Sequence, residues 1–264
     1  MIRELLATGA ATFLTAVSLA QTKAGFVQYE MVTQLQGQIQ IQGLPAGIEL
    51  PKSRTAYFDL SFGNNQSLWQ VAEQAPEPEM NTGGVQLRTV TFGGGGDVVF
   101  ADFNTRLKTE KKELFDKTFI VEDSIRTMNW KMTGETKTIL GYTSMKATAS
   151  RISKTFKTTM VDGKIERVES VDTLPVVAWF TTAIPVSAGP SMYEGQLPGL
   201  ILELDYGNGR NVYKATSVSE KVKLDNIKPP KGKKKHTPAE YEAERKKVMD
   251  EMQKNGGMRF RAAG

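Results

Sequence analysis

Residues 200–218 read LILELDYGNGRNVYKATSV. Glu203 and Asp205 fall on one face of an extended chain, and Leu202 and Leu204 fall on the other. That period of two marks a strand with one buried and one wet face. Asn208-Gly209 then separates Leu200–Tyr206 from a second strand, Asn211–Val218. Asn-Gly tolerates positive φ at both positions and matches the primed turns of two-residue hairpins. A hairpin makes its strands antiparallel neighbours, so this stretch sets the fold class.

The same grammar extends outward. Asp162-Gly163 separates Thr155–Val161 from Lys164–Val171, and Gly63-Asn64-Asn65 separates Arg54–Phe62 from Ser67–Ala72. Val27, Tyr29 and Met31 alternate with Gln28, Glu30 and Val32, and Leu35, Ile39 and Ile41 sit within a glutamine-rich run. Val85–Phe92, Asp97–Phe103, Thr118–Val121, Lys137–Tyr142, Lys146–Ile152 and Val176–Thr181 complete the expected strands. No long amphipathic helix precedes residue 236, which disfavours alternating strand–helix architecture. The expectation is a mainly β protein: one large curved antiparallel sheet or half-barrel, with a C-terminal helix on a basic linker. Residues 73–84 and the four glycines 93–96 read as loops. The glycines lack the helix start and Lys-Ser/Thr of a phosphate-cradling loop.

The ends have distinct characters. Arg3, the uncharged apolar run Leu5–Leu19, and the small residues Ser18 and Ala20 before Gln21 have the layout of a cleavable secretory signal over residues 1–20. The run is short for a membrane span. An exported protein is expected, periplasmic or associated with the outer membrane, with secretion a further option. Residues 21–225 form the expected β-rich domain. Residues 226–236 form a basic linker containing Lys228–His236 (KPPKGKKKH), and residues 237–264 a helix and tail. Thr237-Pro238-Ala239-Glu240 opens that helix as N-cap, first-turn proline and capping-box glutamate. Tyr241, Val248, Met249 and Met252 make a stripe thin enough to suggest an appendage, whose removal leaves the domain folded.

The chain carries a formal charge of +5. Residues 221–264 hold 13 Lys or Arg against 6 Asp or Glu, so the rest is close to neutral. A basic tail on a neutral body argues against nucleic acid as partner, and suggests contact with an anionic membrane surface. There is no cysteine, hence no disulfide and no thiolate metal site.

Catalytic candidates are sparse. His236 is the only histidine and lies in the linker, where a solvated role is expected. No His–carboxylate pair or multi-histidine metal centre is therefore possible in the body. No catalytic residue, metal ligand or cofactor is assigned. Glu122-Asp123 and Glu203/Asp205 are the nearest carboxylate pairs, each more simply read as solvated. Asp123-Ser124-Ile125 and Asp172-Thr173-Leu174 match a short O-glycan acceptor pattern of some bacterial envelopes. Trp69, Trp130 and Trp179 fall in expected strands. Trp179 precedes the Pro/Gly-rich stretch with Pro185, Gly189 and Pro190, where an aromatic floors a ligand groove or simply joins the core.

From Trp130 to Val218 the chain resembles the GLPGLI family of exported proteins of uncharacterised function from Bacteroidetes-type bacteria. The resemblance runs through Trp130-Lys131-Met132, Lys137 to Gly141-Tyr142, Lys146-Ala147-Thr148 and Ala178-Trp179-Phe180-Thr181. It continues through Ile184-Pro185, Gly189-Pro190, Tyr193 and Leu197-Pro198-Gly199-Leu200-Ile201-Leu202. Gln196 stands where the naming motif has its first glycine, and Ser144 where many members carry cysteine. The resemblance implies an envelope role beside outer-membrane receptors or transporters, and no activity.

The resulting expectation is a non-catalytic binding or accessory protein linked to the outer membrane. The alternatives are a carboxylate-dependent envelope hydrolase, or a structural partner docking on an outer-membrane transporter through the motif. Candidate binding or motif residues are Trp130, Trp179, Pro185, Gly189, Pro190, Tyr193, Leu197, Pro198, Gly199, Leu200 and Ile201. Pro198-Gly199 reads as the centre of a type II turn with positive φ at Gly199. Replacing Gln196 by glycine then changes stability by less than about 1 kcal/mol.

Overall fold

The computed structural model describes residues 24–35, 52–72, 98–114, 117–161, 164–232 and 234–254. The expected strands and loops within residues 36–51 and 73–97, the Asp162-Gly163 turn and the signal lie outside the described residues. The strands are β1 (Gly25–Gln34), β2 (Ser53–Gly63), β3 (Gln66–Val71), β4 (Val98–Asp102), β5 (Leu107–Leu114) and β6 (Lys117–Ser124). They continue as β7 (Lys131–Ile139), β8 (Tyr142–Val161), β9 (Lys164–Thr181), β10 (Leu200–Tyr206), β11 (Asn211–Ser219) and β12 (Lys235–His236), before helix α1 (Pro238–Lys254). One open sheet holds all twelve, in the order β12-β6-β5-β4-β3-β2-β1-β11-β10-β9-β8-β7.

Two meanders meet where β1 pairs with β11, so the first and the last long strands sit mid-sheet. Residues 125–130 then connect β6 near one edge to β7 at the other. Ten strand spacings of ~4.8 Å would separate those strands by about 48 Å in a flat sheet. Seven residue steps, from Ser124 to Lys131, reach at most about 25 Å. The sheet must therefore curl until its edges approach, as a half-barrel does, without closing. Residues 125–130 act as a strap across the opening.

The turns follow local chemistry. Asn208 and Gly209 have φ of 56° and 79°, and Asn64 and Asn65 have φ of 51° and 60°, the primed geometry that hairpins favour. Asp205 accepts a hydrogen bond from the Gly209 N–H at 2.8 Å and stiffens that turn. The strand expected over Lys137–Tyr142 is instead broken by a turn at Leu140-Gly141, with Leu140 at φ 49°. Strand β5 has no apolar alternation to betray it. Its buried Glu110 is neutralised by Lys108 at 2.5 Å and Lys112 at 2.7 Å.

β8 and β9 are each one long strand rather than the two short ones expected. They pair continuously from Met145↔Phe180 to Val161↔Lys164. β7 pairs with β8 only as far as Thr148, and β10 with β9 only from Val176. Beyond those points neither strand has a further partner among the described residues, and Ile152 and Val171 on this ribbon are 71% and 63% exposed.

The C-terminal arm is more closely attached than a solvated linker. Ile227 packs with Leu68 and Phe100, and Lys235 and His236 pair in parallel with Ile120 and Val121 of β6. The His236 and Tyr241 rings both meet Phe119 edge-on, at 5.4 Å and 5.5 Å. His236 is thus half-buried against an aromatic ring, not solvated. Glu122, one of the carboxylates considered above, pairs with Lys235. Thr237 and Glu240 form the expected reciprocal capping box. On the helix, Glu242 pairs with Arg245 and Glu244 with Lys247, each three residues apart. Among the described residues no helix is long and apolar enough to cross a membrane.

Candidate functional site

Residues 182–199 leave β9 and lie across the face of the sheet carrying Val27, Tyr29, Leu60 and Trp69. Ile184, Val186, Ala188, Tyr193 and Leu197 bury themselves there. The inner face is filled by the chain's own plug. Tyr29 donates its hydroxyl to the Ile201 carbonyl of β10, just beyond the plug, at 2.5 Å. Trp69 stacks on Phe58 at 4.9 Å and meets Tyr29 and Tyr213 at 5.2 and 5.7 Å. Tyr206 bridges Tyr193 and Tyr213 in the same aromatic layer.

The motif residues belong to this core. Leu197, Leu200, Ile201 and Leu202 are buried, as are Gly189, Pro190 and Gly199, while Pro185 and Pro198 are exposed. The expected type II turn is absent. Gly199 is not among the residues with positive φ. Its N–H bonds to the Leu197 carbonyl, closing a three-residue turn around Pro198, and the Leu200 N–H bonds to Ile184 instead. Glycine is required there for proximity. A Cβ at 199 would stand 2.2 Å from the Thr181 carbonyl oxygen.

Trp179 faces the other way. Its neighbours Ala178 and Phe180 are buried inward, so period two puts Trp179 on the outer face. The Lys137 and Lys146 ammonium groups lie 4.3 and 5.7 Å from its ring centre, and Lys137 also pairs with Glu203 at 2.9 Å. Of the two roles weighed for Trp179, neither is met: it is outside the buried core, and the Pro/Gly stretch lies on the opposite face of the sheet. Ser144 is fully buried and donates to the Tyr142 carbonyl.

Trp130 is in the strap rather than a strand, and it leads to the residue that sequence reasoning undervalued. The Gln196 Oε1 accepts from the Met128 N–H at 2.9 Å and from the Trp130 indole N–H at 3.3 Å. Its Nε2 donates to the Arg126 carbonyl at 2.9 Å. One carboxamide therefore ties the plug to the strap.

Beside it is Glu194, only 2% exposed. Positive φ at Ser191, the first residue of the short 3-10 turn Ser191–Tyr193, and at Gly195 just after Glu194, 53° and 69°, brackets the bend in which Glu194 is buried. The Ser67 hydroxyl donates to Oε2 at 2.6 Å. Among the described residues Oε1 has no hydrogen-bond partner. Burial pushes the acid up to about 8; the Ser67 hydroxyl, the nearby Gly189 N–H and the Lys108 charge only partly oppose this. Glu194 lines a cavity of about 100 Å³ with Lys108, Asp123, Arg126, Met192 and Gln196. Asp123 accepts from the Ser124 N–H and lies 3.5 Å from Arg126. No group of three or more metal-ligating side chains occurs among the described residues. No sequence pattern marked Glu194, because its inward aim depends on the turn and on Ser67, 127 positions away.

Residues 130–203, a little over a quarter of the chain, are similar to a family described as a protein of unknown function (Porph_ging). The matched region starts at the end of the strap and takes in β7, β8, β9, the plug and the first half of β10. No curated protein matches the chain.

Proposed function

We propose that the chain is an exported envelope protein that binds rather than catalyses, as an accessory protein of the periplasm or outer membrane. We assign it to the GLPGLI group on the motif residues. One observation carries the binding reading: a small cavity is lined by a buried carboxyl group, Glu194, whose Oε1 has no hydrogen-bond partner among the described residues. A buried polar atom without a partner is costly, and a ligand or ordered water relieves that cost. The basic N-region, apolar run and small residues before Gln21 support export. The test is a competition experiment. Small polar solutes are titrated while the Met128 and Gln196 amide signals are followed by NMR. Saturable shifts lost in Glu194→Ala support the reading, and a site deaf to every solute overturns it. Mass spectrometry of the protein from its own envelope checks export: the mature chain starts at Gln21.

The rival hydrolase reading rests on Glu194 and Asp123 lining one cavity. It requires turnover of an envelope glycan or peptide that both Glu194→Gln and Asp123→Asn abolish. A docking role would need a surface other than the motif, whose apolar side chains are buried. The open β8–β9 ribbon supplies one for a transporter or receptor, and the basic arm one for an anionic membrane.

A further inference from the structure

Between Lys164 and Pro175, strand β9 has β8 on one side and no neighbour among the described residues on the other. This free edge ends where the Gly207 N–H bonds to the Pro175 carbonyl, beside the start of the pairing with β10. At ~3.3 Å per residue it is about 36 Å long. A two-stranded ribbon is at best marginally stable in water without a third strand. Its open edge is a template for one.

Residues Lys164–Asp172 read KIERVESVD. Within the ribbon, each of their charged residues stands opposite an uncharged residue of β8. Lys164 faces Val161, Glu166 faces Thr159, Arg167 faces Thr158, Glu169 faces Phe156 and Asp172 faces Ser153. The same stretch complements itself when reversed. Laid antiparallel on a second copy with Val168 opposite Val168, Lys164 falls opposite Asp172 and Arg167 opposite Glu169. Ile165 falls opposite Val171, and Glu166 opposite Ser170. Opposite charges and apolar residues on facing positions stabilise a strand pair, and like charges there destabilise it. A slip of two residues either way keeps every residue on its face but sets Arg167 against Arg167 or Glu169 against Glu169. Only the register centred on Val168 matches the charges. The β8 edge has no such register: residues 149–161 include Arg151, Lys154 and Lys157 and no acidic residue, so two β8 edges repel.

We propose that the free edge of β9 is a self-association surface, and that its occupant is the β9 edge of a second copy of this chain. The two strands pair antiparallel over Lys164–Asp172 about a two-fold axis at Val168, which joins two twelve-stranded sheets into one. The nine-residue pairing fits within the free edge and stops short of the Gly207 turn. Val171, 63% exposed in the single chain, gains Ile165 of the second copy as an apolar neighbour. The same patch serves both copies, so the assembly closes at two. The inference is independent of the cavity beside Glu194.

The experiment is sedimentation of the purified protein between about 1 µM and about 200 µM, with charge reversals on the edge. The wild type is expected to show a monomer–dimer equilibrium that stops at the dimer. Arg167→Glu and Glu169→Arg each create two like-charge rungs, one per half of the interface, and should weaken the dimer about tenfold or more. Neither breaks an opposite-charge rung of the ribbon itself. The double variant Arg167→Glu/Glu169→Arg restores opposite charges with their signs exchanged. It should return to within about threefold of the wild type. Hydrogen exchange of β9 amides should slow as concentration rises, with no such change along the outer edge of β8. A monomer at every concentration overturns the proposal, whether the edge is open or covered by another part of the chain. Open-ended assembly, which β8 of one copy against β9 of the next would give, also overturns it. So does a dimer indifferent to the single reversals or not rescued by the double one.

Discussion

The Gly199 Cα and the Thr181 carbonyl oxygen lie in such close contact that a Cβ on residue 199 would stand 2.2 Å from that oxygen. Thr181 is fully buried and pairs with Leu200 in the sheet, so neither side of the contact can give way. Overpacking against fixed backbone costs about 1–3 kcal/mol or more. Gly199→Ala is expected to lower stability in urea unfolding by at least that amount, and Gly199→Val by more. Gly199→Asn, which a left-handed position would accept, should fare no better than alanine.

Gln196 holds the strap to the plug through one side chain. Replacing it by glycine loses hydrogen bonds to Arg126, Met128 and Trp130. At roughly 1 kcal/mol each, the expected loss is about 2–3 kcal/mol, not the near-neutral outcome that the motif spelling suggests. Hydrogen exchange at the Met128 amide is the specific readout. Its protection should collapse in Gln196→Gly, while protection in β2 and β11 falls only with global stability.

Glu194 makes stability depend on pH. Its folded value of about 8 lies above its ordinary 4.5, so between those values the unfolded chain releases a proton that the folded one keeps. The stabilising contribution is complete below about pH 4.5 and is lost as pH rises through about 8. The loss is on the order of 4–5 kcal/mol. Urea midpoints measured across that window should fall with pH in the wild type. The slope should flatten in Glu194→Gln.

Deleting residues 228–264 should leave the sheet folded but weaker by about 1–3 kcal/mol, from two lost backbone pairings and the uncovered Phe119 ring. It also bares an edge strand that invites pairing between molecules. Sedimentation of the truncated protein should show concentration-dependent association beyond that of the full chain.

The sheet was legible because alternation and turn dipeptides are local signals. Asn208-Gly209 and Asn64-Asn65 fold as their chemistry dictates. Strand β5 was not legible, since its inward face is made of Lys108, Glu110 and Lys112, and ion pairs replace the apolar rhythm. The turn at Leu140-Gly141 was hidden because leucine is a poor choice for positive φ. At Gly199 a close backbone approach stands where a type II turn was expected, and Trp179 lies on the outer face, not in the core. Gln196 and Glu194 act through partners far away in sequence, at Met128 and Ser67, and no spacing rule could have joined them.

The meeting of β1 with β11 at mid-sheet has a mechanical consequence. Phe26 pairs with Ser219 and Thr33 with Asn211, so the outer ends of the two strands emerge side by side. Tension applied between residues 25 and 219 would peel the seam one rung at a time instead of shearing all its rungs together. If the load came through α1, the two rungs of β12 would part first. The arm would then act as a fuse, breaking at low force and paying out slack before the central seam feels any strain.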